Sequence, residues 1–179
     1  EMRSDQFEAQ ERFFTRSEIA ELLNAARFMQ FKNALAGENM SGAEVLLAEM
    51  RAQPSASYLD KALLTMAQVR IDRGEKGIAK AVLFELREQA PASELQAEAI
   101  LEEIRLLVIE REWTKVIASY DQWFKDYPQH RKRTEVLYDQ AWALAQSGQS
   151  AAAVKSFNEL IKSSPNLRQA FKAKMWLAD

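Results

Sequence analysis

Residues 137–165 read LYDQAWALAQSGQSAAAVKSFNELIKSSP, and this segment has the pattern of two amphipathic helices joined by a short turn. Apolar residues recur at helical spacing on both sides of Gly148. The apolar positions that share one face are Leu137, Ala141 and Leu144 in the first helix and Ala153, Phe157, Leu160 and Ile161 in the second. Glycine permits the turn between them, and Pro165 cannot continue the second helix. The segment therefore predicts a helical hairpin with Phe157 in its core.

This hairpin is one of four copies that follow one another at a fixed period. The prolines lie 37 residues apart, at Pro54, Pro91, Pro128 and Pro165. Glycine lies 17 residues before three of them, at Gly37, Gly74 and Gly148. A large apolar residue lies eight residues before each proline, at Leu46, Leu83, Tyr120 and Phe157. In the third copy Arg111 replaces the glycine, so we expect a turn of different geometry there. A fixed period of this length is typical of a repeat protein.

The composition agrees with a helical globular chain and excludes several functions. The chain has 179 residues, 47% of them hydrophobic, but only 5 Gly and 4 Pro, which favours an all-α fold. It has no Cys and one His, which excludes thiol catalysis, disulfides and most zinc sites. A net charge of −2 argues against nucleic-acid binding, and no apolar run reaches the length of about 20 residues that spans a membrane.

Hydrophobic periodicity and breaking residues together predict nine helices. The predicted segments are 17–36, 42–52, 58–73, 77–89, 94–110, 113–126, 132–147, 150–163 and 167–178. Two helix starts carry the pattern of a capping box, Ser41 with Glu44 and Ser93 with Gln96.

The order of small residues, Gly148, the aromatic Phe157 and Pro165 in residues 141–165 resembles the tetratricopeptide repeat (TPR). The 37-residue period exceeds the usual 34 or so, and resembles the longer repeats of bacterial envelope proteins. Examples are the coordinator of the Tol–Pal system and the lipoprotein subunit of the outer-membrane β-barrel assembly machine. The resemblance implies an all-α, right-handed superhelix of stacked antiparallel helix pairs. The expected array spans 1–179: a leading or capping segment 1–16, repeats 17–54, 55–91, 92–128 and 129–165, and a trailing helix 166–179.

In this family the first helix of each repeat lines a concave face, which implies a groove for a partner peptide or helix. Counting back 27, 23 and 20 residues from Pro91, Pro128 and Pro165 gives Leu64, Gln68, Ile71, Leu101, Arg105, Val108, Tyr138, Trp142 and Ala145, and the trailing helix adds Lys172 and Trp176. The expected groove residues among them are Leu64, Gln68, Leu101, Arg105, Val108, Tyr138, Trp142, Lys172 and Trp176. Apolar and aromatic side chains would bind the partner, and Gln68 and Arg105 would orient it. The alternatives are that these aromatics only pack the helix stack, or that residues 4–16 fold into the groove. The Lys and Asn residues of a carboxylate-clamp TPR are absent at these positions.

No catalytic constellation is present. His130 is the only imidazole, and the run 130–133 reads as a solvated basic loop or as a site for an anionic partner. We therefore expect a non-enzymatic protein-binding scaffold with no cofactor and no metal, in the periplasm or cell envelope by family resemblance, or in the cytoplasm. The alternatives are a self-associating structural module, hence a homo-oligomer, or the TPR segment of a larger polysaccharide-export or secretion protein.

Overall fold

The computed structural model of the chain describes residues 15–53 and 57–178. Within these ranges the chain forms nine helices and no strand: α1 (Arg16–Ala36), α2 (Met40–Arg51), α3 (Leu59–Asp72), α4 (Lys76–Gln89), α5 (Gln96–Ile109), α6 (Trp113–Asp126), α7 (Arg133–Gln146), α8 (Ser150–Ser163) and α9 (Arg168–Ala178). Every predicted helix end lies within two residues of the observed one. The prediction of an all-α fold is therefore confirmed. Most of the leading segment 1–16 lies outside the described residues, and so does Pro54, the first of the four regularly spaced prolines.

The described residues divide into two compact units, the first ending at Ala62 and the second beginning at Leu63. In the first unit α1 packs against α2, and α1 begins with a capping box formed by Thr15 and Glu18. The predicted capping box of Ser41 and Glu44 is wrong. Asn39 caps α2 instead, and its side chain accepts a hydrogen bond from the Gly42 N–H at 2.9 Å.

In the second unit the repeat is visible in the backbone. Gly74, Arg111 and Gly148 all have a left-handed conformation, with φ of 75°, 59° and 83°. The expectation that Arg111 needs a different geometry is therefore wrong, because the arginine adopts the same bend as the glycines. In the first unit Glu38 takes this position with φ of 57°, whereas Gly37 has φ of −86°. The extra residue between Gly37 and α2 shifts the bend by one position.

The buried faces of the second helices also repeat every 37 residues. Three layers are buried in α4, α6 and α8: Ala79, Val116 and Ala153; Leu83, Tyr120 and Phe157; Leu86, Trp123 and Leu160. Consecutive helices from α4 to α9 pack against each other, and α7 also contacts α9. Because equivalent residues fill equivalent layers, each hairpin of this unit completes the core of its neighbour.

The junctions between repeats use local hydrogen bonds rather than the predicted capping box. The Ser93 hydroxyl accepts from the Leu95 N–H at 3.1 Å, and the Gln96 side chain donates to the Ala90 carbonyl at 2.7 Å. Leu95 is the residue before α5, and its side chain caps nothing. The prediction that Ser93 and Gln96 form a capping box at the start of α5 is therefore wrong.

Candidate functional site

A cavity of about 330 Å³ opens between α5 and α7 of the second unit, and we call it the α5–α7 groove. Its lining residues are Leu101, Glu102, Arg105 and Val108 of α5, Tyr120 of α6, and Lys132, Glu135, Val136, Asp139 and Trp142 at the start of α7 and along it. On each helix these residues recur three or four positions apart, which places them on one face. Four of the predicted groove residues, Leu101, Arg105, Val108 and Trp142, therefore meet in one cavity.

The other predicted groove residues lie elsewhere in the second unit. Leu64 is buried, with 8% of its surface exposed, so it offers little surface to a partner. Tyr138 and Trp176 pack against Phe157, with ring centroids 5.5 and 4.7 Å away, and the Lys172 Nζ lies 5.5 Å from the Tyr138 ring centroid. These contacts favour the alternative in which Tyr138 and Trp176 mainly pack the helix stack. The 37-residue step from Tyr138 leads to Met175, which is 57% exposed, and not to Trp176.

The two polar residues that were expected to orient a partner are engaged within the protein. The Gln68 side chain donates to Glu102 Oε1 at 2.8 Å. The Arg105 guanidinium donates to Asp72 Oδ1 at 2.5 Å and lies 3.5 Å from Glu102 Oε2. These bonds join α3 to α5 across one repeat. They hold the Gln68 and Arg105 side chains against carboxylates of this chain.

Trp142 has a mixed environment. Its ring meets the Trp113 ring of α6 edge to face, with centroids 5.6 Å apart, and it packs beside the core that contains Phe157. It also lines the α5–α7 groove. Trp142 therefore supports the helix stack and presents part of its surface to the groove.

Six of the residues that line the groove were not predicted from the sequence: Glu102, Tyr120, Lys132, Glu135, Val136 and Asp139. Of these, Asp139 is half-buried. Its carboxylate makes no hydrogen bond or ion pair with any residue in the described ranges. Burial and the nearby charge of Glu135 raise its pKa to about 6, although Lys172 opposes the shift. Burial, together with Asp139, also raises the pKa of Tyr120. A single polar residue on a helix normally indicates the solvent-exposed face. The spacing of Asp139, three residues before Trp142 and four after Glu135, could have placed it on the same helix face as these residues.

The basic run 130–133 is more than a solvated loop. Glu98 is buried, with 6% exposure, and accepts from Arg131 Nη2 at 3.0 Å. His130 Nε2 lies 3.5 Å from the second Glu98 oxygen, while His130 Nδ1 accepts from the Lys132 N–H at 3.2 Å. Burial raises the pKa of Glu98, but the Arg131 hydrogen bond and the His130 charge outweigh it and hold the pKa below its ordinary value. The run therefore holds α5 to the start of α7.

The described ranges hold neither a metal site nor a membrane-spanning helix. No group of three or more His, Cys, Asp or Glu side chains there is arranged to hold a metal ion. None of the helices described is both long and apolar enough to cross a membrane.

Residues 135–167, which contain most of α7 and all of α8, match the family model of the tetratricopeptide repeat. No curated protein matches the sequence. The fold resembles the crystal structure of a tetratricopeptide repeat protein from Parabacteroides merdae, with a TM-score of 0.66 and 15% identity. The match covers 84% of this chain and 57% of that one, so this chain spans little more than half of its length. The prediction of an all-α, TPR-like fold is thus confirmed, while the envelope type of repeat stays a prediction.

Proposed function

We propose that this chain is a non-enzymatic scaffold that binds a peptide or helix of a partner protein in the α5–α7 groove. TPR folds generally mediate protein–protein interaction, and this supports the general class of function. The observation that carries the proposal is the meeting of Leu101, Val108 and Trp142 in one open cavity between packed helices. Rigid aromatic and aliphatic surface is the kind that anchors a partner at low entropic cost.

The size of the groove fits this role. A cavity of about 330 Å³ has room for one or two large side chains of a partner, and not for a folded domain. The groove is open along α5 and α7, so the remainder of a helix or extended segment would lie across these two helices. Charged residues at its edge, among them Lys132 and Glu135, would contribute specificity more than affinity.

Site-specific photo-crosslinking tests the proposal with a matched pair of positions. A photoreactive amino acid replaces Glu135, an exposed residue of the groove, or Glu159, an exposed glutamate of α8 that lies outside the groove. We expect a partner adduct at position 135 and none at 159, with the same helical circular dichroism in both proteins. Equal adducts at both positions, or adducts at 159 alone, would refute the groove as the binding surface.

The longer 37-residue repeat supports a location in the bacterial envelope as part of this proposal. Cell fractionation of the native gene product tests it, and recovery with the cytosol alone would contradict it.

A second candidate, self-association, is favoured by exposed apolar side chains on α9. Phe171 and Met175 lie one helical turn apart and are 64% and 57% exposed. Light scattering at two concentrations tests it. A mass that rises with concentration and returns to the monomer value in Phe171→Ser would support self-association, and a constant monomer mass would exclude it.

A further inference from the structure

We propose that the α5–α7 groove accepts a basic side chain of the partner, a lysine or arginine, whose charged group binds the Asp139 carboxylate while its aliphatic stem lies against Trp142. The inference rests on the proposed function, because it specifies the chemistry of the segment that the groove would bind. It also reverses the chemistry of a carboxylate clamp, in which the groove would supply the cations.

Two carboxylates in the groove lack partners among the described residues. Asp139 lines the cavity without a hydrogen bond or ion pair to any residue of the described ranges. The same holds for Glu135, one helical turn earlier and more exposed. Neither carboxylate has a partner among the residues that the structure describes, and both line one open cavity.

Three cations lie near these carboxylates, and none of them forms an ion pair with Asp139 or Glu135. Arg105 lines the groove but is shared between Asp72 and Glu102. Lys132 also lines the groove, and its charge helps to lower the pKa of the buried Glu98. Lys172 lies over the Tyr138 ring and forms no ion pair with Asp139.

The pKa of Asp139 reflects these surroundings. Burial and Glu135 together outweigh Lys172, and the pKa of Asp139 is raised to about 6. The surroundings therefore disfavour the negative charge, which is nevertheless present on most molecules at neutral pH. A cation placed beside such a carboxylate is stabilised more strongly than beside one that is already paired.

The groove wall beside Asp139 is apolar. Trp142 lies three residues after Asp139, so the two side chains are neighbours on one helix face. Leu101 and Val108 face them from α5. A lysine or arginine has both parts that this wall needs, since its stem is apolar and its charged head can also interact with an indole face. An acidic side chain would instead meet two unpaired carboxylates.

Selection of a random twelve-residue peptide library displayed on phage tests the inference on the whole chain. We expect peptides enriched in Lys and Arg, whose affinity falls tenfold or more in Asp139→Asn and in peptides with norleucine at the basic position. Asparagine keeps the shape of the side chain, and Glu159→Gln on α8 is the matched control, with unchanged affinity. Binding to the wild-type protein should also weaken about tenfold from pH 7.5 to pH 5 as Asp139 is protonated, and this pH effect should be absent in the Asn variant.

The outcomes separate the inference from the proposed function. Peptides that crosslink at position 135 but lack basic residues and bind the Asn variant equally well would overturn the inference and leave the proposed function intact. A selection that yields no peptide crosslinking at position 135 would overturn both.

Discussion

Replacing Phe157 with alanine is expected to destabilise the second unit more than any change on its surface. The Phe157 ring is completely buried and lies between Tyr138 and Trp176, with ring centroids 5.5 and 4.7 Å away. Removing a buried phenylalanine ring costs about 3–5 kcal/mol, because apolar burial is lost and a cavity remains. The neighbouring rings also lose their aromatic contacts, so we expect a cost near 4 kcal/mol.

Urea denaturation followed by circular dichroism and by tryptophan fluorescence measures this cost. For a slope of about 2 kcal/mol per molar, the midpoint of the Phe157→Ala variant should fall by roughly 2 M. Phe171→Ala is the matched control, since Phe171 of α9 is 64% exposed and should change stability by less than about 0.5 kcal/mol. Equal midpoints for the two variants would refute the assignment of Phe157 to the core.

Three further predictions concern single positions in the second unit. Arg111→Gly should raise the free energy of unfolding by about 0.5–1 kcal/mol, because glycine adopts the left-handed bend without strain. Gly148→Ala should lower the free energy of unfolding by a similar amount. Urea denaturation measures both, and a less stable Arg111→Gly variant or a more stable Gly148→Ala variant would contradict this explanation. The pKa of Asp139 is raised in the folded state, so the native protein holds this proton more tightly and its stability falls as pH rises from about 4 to above 6. Asp139→Asn should therefore gain about 3 kcal/mol at pH 7.5 and little near pH 4, and a gain independent of pH would argue against the burial of this carboxyl. The lowered pKa of Glu98 has the opposite sign, so Glu98→Gln should cost about 1–3 kcal/mol at pH 7, and this cost should shrink as the pH falls through the pKa of the carboxyl. A cost that does not change with pH would exclude the ion pair with Arg131 as its source.

The helix order was predictable from sequence because prolines and glycines stand at regular places between the apolar segments. Proline cannot continue a helix, so Pro91, Pro128 and Pro165 mark the same junction in successive repeats. The exceptions are instructive. Arg111 holds a left-handed bend because the following Glu112 N–H bonds back to the Leu107 carbonyl at 3.0 Å, as the equivalent residues do in the other repeats. This hydrogen bond forms only in the folded turn, so an arginine at position 111 does not by itself indicate the left-handed bend.

The groove was predictable in part. The repeat count places Leu101, Arg105, Val108 and Trp142 on the helix faces that meet. It could not show that Arg105 is already bound by Asp72, because that contact joins residues 33 positions apart.

For the same reason the sequence did not reveal Asp139. Its pKa depends on burial between helices and on Glu135 and Lys172, which belong to two different helices. A count along one chain gives the face of a helix, but not the pairing of the charges on that face.

Hydrogen–deuterium exchange with the partner bound measures which helices the partner covers. We expect slower amide exchange within 101–108 of α5 and within 132–142 at the start of α7 and along it, while 150–163 of α8 changes little. Slower exchange confined to α8, with none in α5 or α7, would show that the groove is not the binding surface.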